Sequence, residues 1–402
     1  MKTKILISAM LLASCSTIVP ENQPVETKAP FELSGESIAR MFASLPMGAE
    51  QLREVYGAVG LSSGNGYDEE YTLDSLMVSP GAGVGPATKG PLAGGGVPLR
   101  DMVRDYLSGF APTKAGVDDL LQQLADSGYQ VYWPYSEDWD GETFPVVTFD
   151  PGYGAESNYG YELAPDPDGI AQIVDTVLVD EALAMRRPVW VINSNSDSAF
   201  TPLELFAGTS VQGSGVSETW NGDLAASGDD ERIGTSESMT PRPQARQRRL
   251  MLKSFTMLRN YDSWFGGASE FFVKCGSVDG FNASTDAELK LYSPSVTDFM
   301  IVVKRRCVGQ ALPYEAILVT DFTSQLEKLA FLIVEDDGGT HTNWKCEAVV
   351  KIQSKSYGIS VDIPYNDKDD IVWRGQLSAR FFEEQDIVTG RFGDVICSFE
   401  LE

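Results

Sequence analysis

The chain has 402 residues, a formal charge of −27 and an apolar fraction of 43%, the last being that of an ordinary globular protein. A charge of that sign repels phosphates and excludes nucleic acid as a partner. The single histidine, His341, excludes chemistry that needs two imidazoles, such as HExxH metalloproteases and His-rich zinc sites. The length suffices for two or three domains, and the excess of carboxylates makes a solvated acidic surface whose groups are also the ligands calcium prefers.

The chain opens MKTKILISAMLLASC. Lys2 and Lys4 form a positive start, and residues 5–13 form an apolar run too short to span a bilayer, which needs about 20 residues. Leu12-Ala13-Ser14-Cys15 resembles the lipobox of bacterial lipoproteins. The resemblance implies that residues 1–14 are a signal peptide and that Cys15 carries the lipid, so that the membrane is a partner through the N-terminal lipid. Ser16 stands where the lipoprotein sorting rule places Asp for inner-membrane retention, which implies anchoring at the outer membrane. Residues 15–30 are polar and proline-rich and read as an extended tether.

Residues 31–193 read as an α+β domain. Ser34 is placed to cap a helix over 33–59 that Pro46 interrupts, with a second helix starting near Ala49. Residues 60–70 read as a loop and 71–77 as a short helix, and 79–98 is too rich in Gly and Pro for regular structure. Residues 99–110 and 117–124 have amphipathic helical spacing, and YQVYWPY, FPVVTFDP, DTVLV and RPVWVIN read as strands. Residues 194–247, dense in Ser, Gly, Asp and Glu, read as a long surface loop or linker.

Residues 248–402 read as an all-β antiparallel sandwich. Strands are expected near 249–259, 270–275, 288–292, 299–307, 314–320, 328–335, 345–353, 358–363, 371–382 and 394–401. Cys275, Cys307, Cys346 and Cys397 allow two disulfides in three pairings. Alternation equally places three of them on core-facing sides of strands, where a reduced Cys is a small apolar residue.

Several stretches carry candidate chemistry. Gly60-Leu61-Ser62-Ser63-Gly64 has the GxSxG pattern, but no strand precedes it and no helix is expected after it. Asp166-Pro167-Asp168-Gly169 reads as a turn. The segment from Tyr132 to Gly141 interleaves four aromatic rings with Glu137, Asp138 and Asp140. Trp133 and Trp139 would stack on a sugar and the three acids would supply glycosidase acid/base catalysis; the same residues serve equally as core anchors and a solvated turn.

YWPYSEDWDG, PVVTFDPG and YDSWFGGASEFF together resemble an uncharacterised group of exported Bacteroidota-type lipoproteins. That resemblance implies O-glycosylation at Asp-Ser/Thr-apolar triplets, with Ser198 as the candidate. The second half loosely resembles C2-type β-sandwich domains, whose acidic loops at one tip hold Ca²⁺. Carried over, this implies Asp262, Asp336 and Asp337 as metal ligands with Glu270 as a poorer fourth. The expectation overall is a non-enzymatic envelope lipoprotein that binds a glycan or an envelope protein, with a carboxylate-based glycan-active enzyme as the alternative.

Overall fold

The computed structural model describes residues 30–78, 97–194, 200–205 and 247–402. The expectations for Cys15, the signal and tether, the Gly/Pro-rich stretch and Ser198 lie outside the described residues. Within them, an α+β unit precedes an all-β antiparallel sandwich.

The α+β unit begins with α1 (Gly35–Ser44), capped by the Ser34 hydroxyl, which accepts from the Ser37 amide. α2 (Ala49–Gly64) follows. It runs through the GxSxG stretch, so that stretch is helix rather than loop and Ser62 has no strand-to-helix turn to project it. Next come β1 (Glu70–Thr72), α3 (Leu73–Met77), α4 (Leu99–Leu107), α5 (Lys114–Ala125), β2 (Tyr129–Tyr132), β3 (Val146–Phe149), β4 (Ser157–Pro165), β5 (Ala171–Asp180), α6 (Glu181–Ala184) and β6 (Val189–Ser194). The strands form one sheet in the order β1-β2-β6-β3-β4-β5. β6 is antiparallel to β2 and parallel to β3. Asp166 and Gly169 close the β4–β5 hairpin, where the Asp166 carboxylate takes the amides of Asp168 and Ile170.

Side-chain alternation sorts this sheet into two faces. Val131, Trp133, Val147, Trp190 and Ile192 join the helices in one core. Tyr132, Val146, Val189 and Val191, one residue out of phase, form a second core that also contains Trp264 and Phe265 from the other unit.

The sandwich comprises β7 (Leu250–Met257), β8 (Ser269–Ser277), β9 (Ser295–Val303), β10 (Leu312–Val319), β11 (Leu326–Glu335), β12 (His341–Ile352), β13 (Lys355–Asn366), β14 (Asp370–Ser378), α7 (Ala379–Glu383), β15 (Ile387–Phe392) and β16 (Val395–Leu401). One sheet has the order β10-β7-β16-β15. The other has β13-β12-β11-β8-β9, with β14 also pairing β11. A single core rich in Phe fills the space between them. Residues 288–292 are not a strand: Asp286–Leu291 forms a 3₁₀ turn with no fully buried side chain, from which Leu289 and the adjoining Tyr292 rest on the edge of the core. The four cysteines are all free thiols, with Cys275 and Cys397 buried in the core.

Candidate functional site

The chemistry of the molecule gathers at the seam between the two units. The loop between β7 and β8 carries Trp264 and Phe265, both at most 1% exposed, into the second face of the N-terminal sheet. Four hydrogen bonds fasten it there. Trp264 Nε1 donates to the Glu156 carbonyl (3.0 Å), Asn193 Nδ2 donates to the carbonyls of Phe265 and Gly266 (3.0 and 2.7 Å), and the Ala268 amide donates to Asp68 Oδ2 (2.9 Å). Gly267 has φ +123°, and a Cβ there would stand 2.7 Å from Asp68 Oδ2. Only glycine meets both demands. Burial is the main reason the Asp68 carboxyl is pushed upward, against the pull of the Ala268 amide.

Two arginines that follow β9 complete the seam. Arg305 reaches Glu181 with Nε (2.7 Å) and Nη2 (3.4 Å), and its Nη1 donates to the Asp262 carbonyl (3.0 Å). Arg306 pairs with Glu137 (2.6 Å) and Asp138 (2.9 Å). Arg305, Arg306, Glu181 and Asp138 border an open hollow of about 510 Å³ that is also lined by Tyr135, Met185 and Asn260. A smaller hollow of about 140 Å³ shares Tyr135, Asp138 and Met185 with it and adds Trp133, Trp139 and Asp140.

The aromatic-acidic segment therefore does border a concavity, but each of its acids already has partners. Glu137 and Asp138 are held by Arg306. Asp140 caps its own turn, accepting from the Glu142 amide, the Thr143 amide and the Thr143 hydroxyl at 2.9, 2.7 and 2.6 Å, and these bonds hold its carboxyl below the ordinary range. Trp133 is a core anchor, 1% exposed and edge-on to Trp190, Trp139 and Tyr56. Trp139 is half-buried, with Nε1 donating to the Thr143 carbonyl.

Glu69 carries no sequence signal. It sits in the Asp68-Glu69-Glu70 run, which reads as solvated loop, yet all three are buried. Its Oε1 accepts from the Ser136 amide and hydroxyl, both at 3.1 Å, and it shares a hydrogen bond with Glu137. Burial first, and then Glu137, push the Glu69 carboxyl up to about 8. Burial also opposes ionisation of Glu137, but the bond from Glu69 and the charge of Arg306 outweigh it and leave Glu137 below the ordinary range. Tyr135, which leads into this segment, adopts the left-handed conformation (φ 58°).

The acidic residues expected as metal ligands fall into two groups. One carboxylate oxygen from each of Asp262, Glu270 and Glu335 lies within 4.8 Å of the others. Asp336 and Asp337 face the loop before β14 instead. Asp336 Oδ1 accepts from the Gly338 amide and from Asn366 Nδ2, at 3.1 and 3.3 Å, and Asp337 is exposed. Glu335 ends the run Leu329–Val334 of β11, which is buried on both faces, and it is itself 1% exposed. His341, at the start of β12, is exposed and lines neither hollow.

No protein-family model and no curated protein matches the chain. Among solved structures, a Drosophila C2-DSL-EGF1 structure matches with 9% identity over 39% of this chain and 66% of that one, just under two thirds of its length, with a TM-score of 0.16. A similarity at that TM-score carries no argument about fold or function.

Proposed function

We propose that the chain is a cell-envelope lipoprotein, anchored at the outer membrane through a lipid on Cys15, and that it acts as a non-enzymatic binding module for a glycan. One observation carries the binding half: rings line the seam hollows while the acids beside them are committed. Tyr135 and Trp139 offer faces on which the apolar side of a sugar stacks, and the ion-paired arginines and carboxylates at the rim offer hydrogen bonds to hydroxyls. A general acid or base must be free to give up and recover a proton. Asp138 and Glu181 are engaged by Arg306 and Arg305, and Asp140 by the amides and hydroxyl of its own turn. The membrane half rests on the lipobox-like sequence ending at Cys15.

A glycan array probed with the full-length chain, followed by titration of the best ligand, tests the reading. Trp139→Ala and Tyr135→Ala should each weaken binding about tenfold, the loss of one stacked ring at ~1.4 kcal/mol. The enzymatic alternative has one favourable feature, a protonated Glu69 beside an ionised Glu137, which is the separation an acid/base pair uses. Release of reducing sugar that is lost on Glu137→Gln would favour that alternative and overturn the binding-module reading.

A further inference from the structure

We propose that Asp262, Glu270 and Glu335 form a site for a hard divalent cation of the Ca²⁺ type, and that the bound cation latches both ends of the β7–β8 loop to the sandwich, fixing the loop in the shape that inserts into the N-terminal sheet. The geometry suits one ion. Calcium holds oxygen at about 2.3–2.6 Å, so ligand oxygens on one ion lie up to about 5 Å apart. The three carboxylate oxygens are within 4.8 Å of one another. The donors are all oxygen, which selects Ca²⁺ or Mg²⁺ over metals that prefer nitrogen or sulfur.

A second observation, independent of that clustering, points to a ligand. Glu335 is 1% exposed, and its Oε1 is sealed from solvent with no donor. Asp262 Oδ2 and Asn260 Oδ1 are sealed in the same way. Buried oxygens without donors are costly, and most such groups in folded proteins are satisfied. The nearest guanidinium does not satisfy them: Arg305 spends Nε and Nη2 on Glu181 and touches Asp262 only at its carbonyl. A divalent cation neutralises two of the three charges and gives the buried carboxylates of Glu335 and Asp262 a partner.

The latch follows from position. Asp262 lies two residues before Trp264, the side chain that plugs the N-terminal sheet. Glu270 lies two residues after Ala268, whose amide is held by Asp68. Glu335 ends β11, which pairs with β8. A cation on this trio therefore ties both ends of the inserted loop to the sandwich.

The test uses the full-length chain in millimolar CaCl₂ against EDTA at matched ionic strength, read by thermal melting and by hydrogen exchange at the Ala268 amide. Calcium should raise the melting temperature and slow exchange at Ala268. Glu335→Gln and Glu270→Gln should abolish both effects, while Asp336→Asn and Asp337→Asn should keep them. In EDTA, Glu335→Gln should melt cooperatively at or above the wild-type temperature, because it removes a buried carboxyl among like charges. If that variant fails to fold, the half-buried Glu270 carries the test. Superimposable wild-type melts overturn the site, as does a shift that survives Glu270→Gln or vanishes with Asp336→Asn. A shift without slowed exchange at Ala268 overturns the latch.

Discussion

At the scale of single residues, Glu69 sets a pH dependence. Its carboxyl is pushed from 4.5 to about 8 in the folded state, by burial first and by Glu137 second. The folded chain then keeps a proton that the unfolded chain releases above ~4.5, so stability falls as pH rises wherever the folded state binds more protons. The contribution is fully present below pH ~4.5 and is lost as pH climbs through about 8. Glu69→Gln should flatten that part of the stability–pH profile, measured by urea denaturation at successive pH values. An unchanged slope between pH 5 and pH 8 would show that Glu69 titrates normally. This residue also marks a limit of sequence reading. Asp68-Glu69-Glu70 has no periodic signal of burial, and its partners are distant in sequence: Ser136 on Glu69 and the Ala268 amide, 200 positions on, on Asp68. Glu335 differs, because it directly continues the apolar run of β11, whose residues 329–334 are all buried.

At the scale of elements, the long periodic segments were legible because each satisfies its period against a single core. Alternation set the faces of β2, β3 and β6, and helical spacing set α1, α4 and α5. The elements that escaped are those whose local chemistry opposes their state. β4 reads SNYGYELAP, and its Gly160 looks like a strand breaker. It is required there, because a Cβ would stand 2.6 Å from Val179 and 2.8 Å from Val146. β1 has only three residues, and β15 is interrupted by Gly390, where a Cβ would meet the Phe392 ring at 2.7 Å. The cysteine-bearing strands give a direct test. Cys275 on β8 and Cys397 on β16 are both 0% exposed, and burial pushes both thiols far above their ordinary range. In a Cys15→Ala chain, a thiol-reactive dye should leave these two unmodified until the protein unfolds, then titrate four thiols in denaturant. Cys307 and Cys346, half-buried, should react first. A count of two or fewer in denaturant without reductant would indicate disulfides.

At the scale of the whole molecule, the seam makes two units behave as one. Trp264 and Phe265 are buried in the partner unit's core, and Arg305, with only 9% of its side chain exposed, pairs across the seam with Glu181. Removing a buried ring costs about 3–5 kcal/mol, and breaking a largely buried ion pair costs about 3 kcal/mol. The wild-type chain should therefore unfold in one calorimetric transition. Trp264→Ala combined with Arg305→Ala should resolve that transition into two. A single transition in the double variant would mean that the units are coupled elsewhere. None of this was readable in the sequence, since the hollow draws its lining from residues 135–185 and 260–308 and no local window contains both.

The placement of β6 has a consequence in time. β6 follows β5 in the chain yet lies between β2 and β3 in the sheet, and Val189 to Ile192 are buried on both faces. A chain arriving from its N-terminus can form the β4–β5 hairpin and dock β3 beside it. It cannot join that half to the β1–β2 half until residue 194 has emerged, because the middle place in the sheet is still vacant. Closing the sheet is then a single late insertion of a hydrophobic strand between two preformed edges, one of them parallel. Non-local pairings of this kind form slowly because loop closure must precede the contacts that reward it. Until then both inner edges carry unpaired amides and carbonyls, so the interval before β6 arrives is when this chain is most open to pairing with the wrong strand.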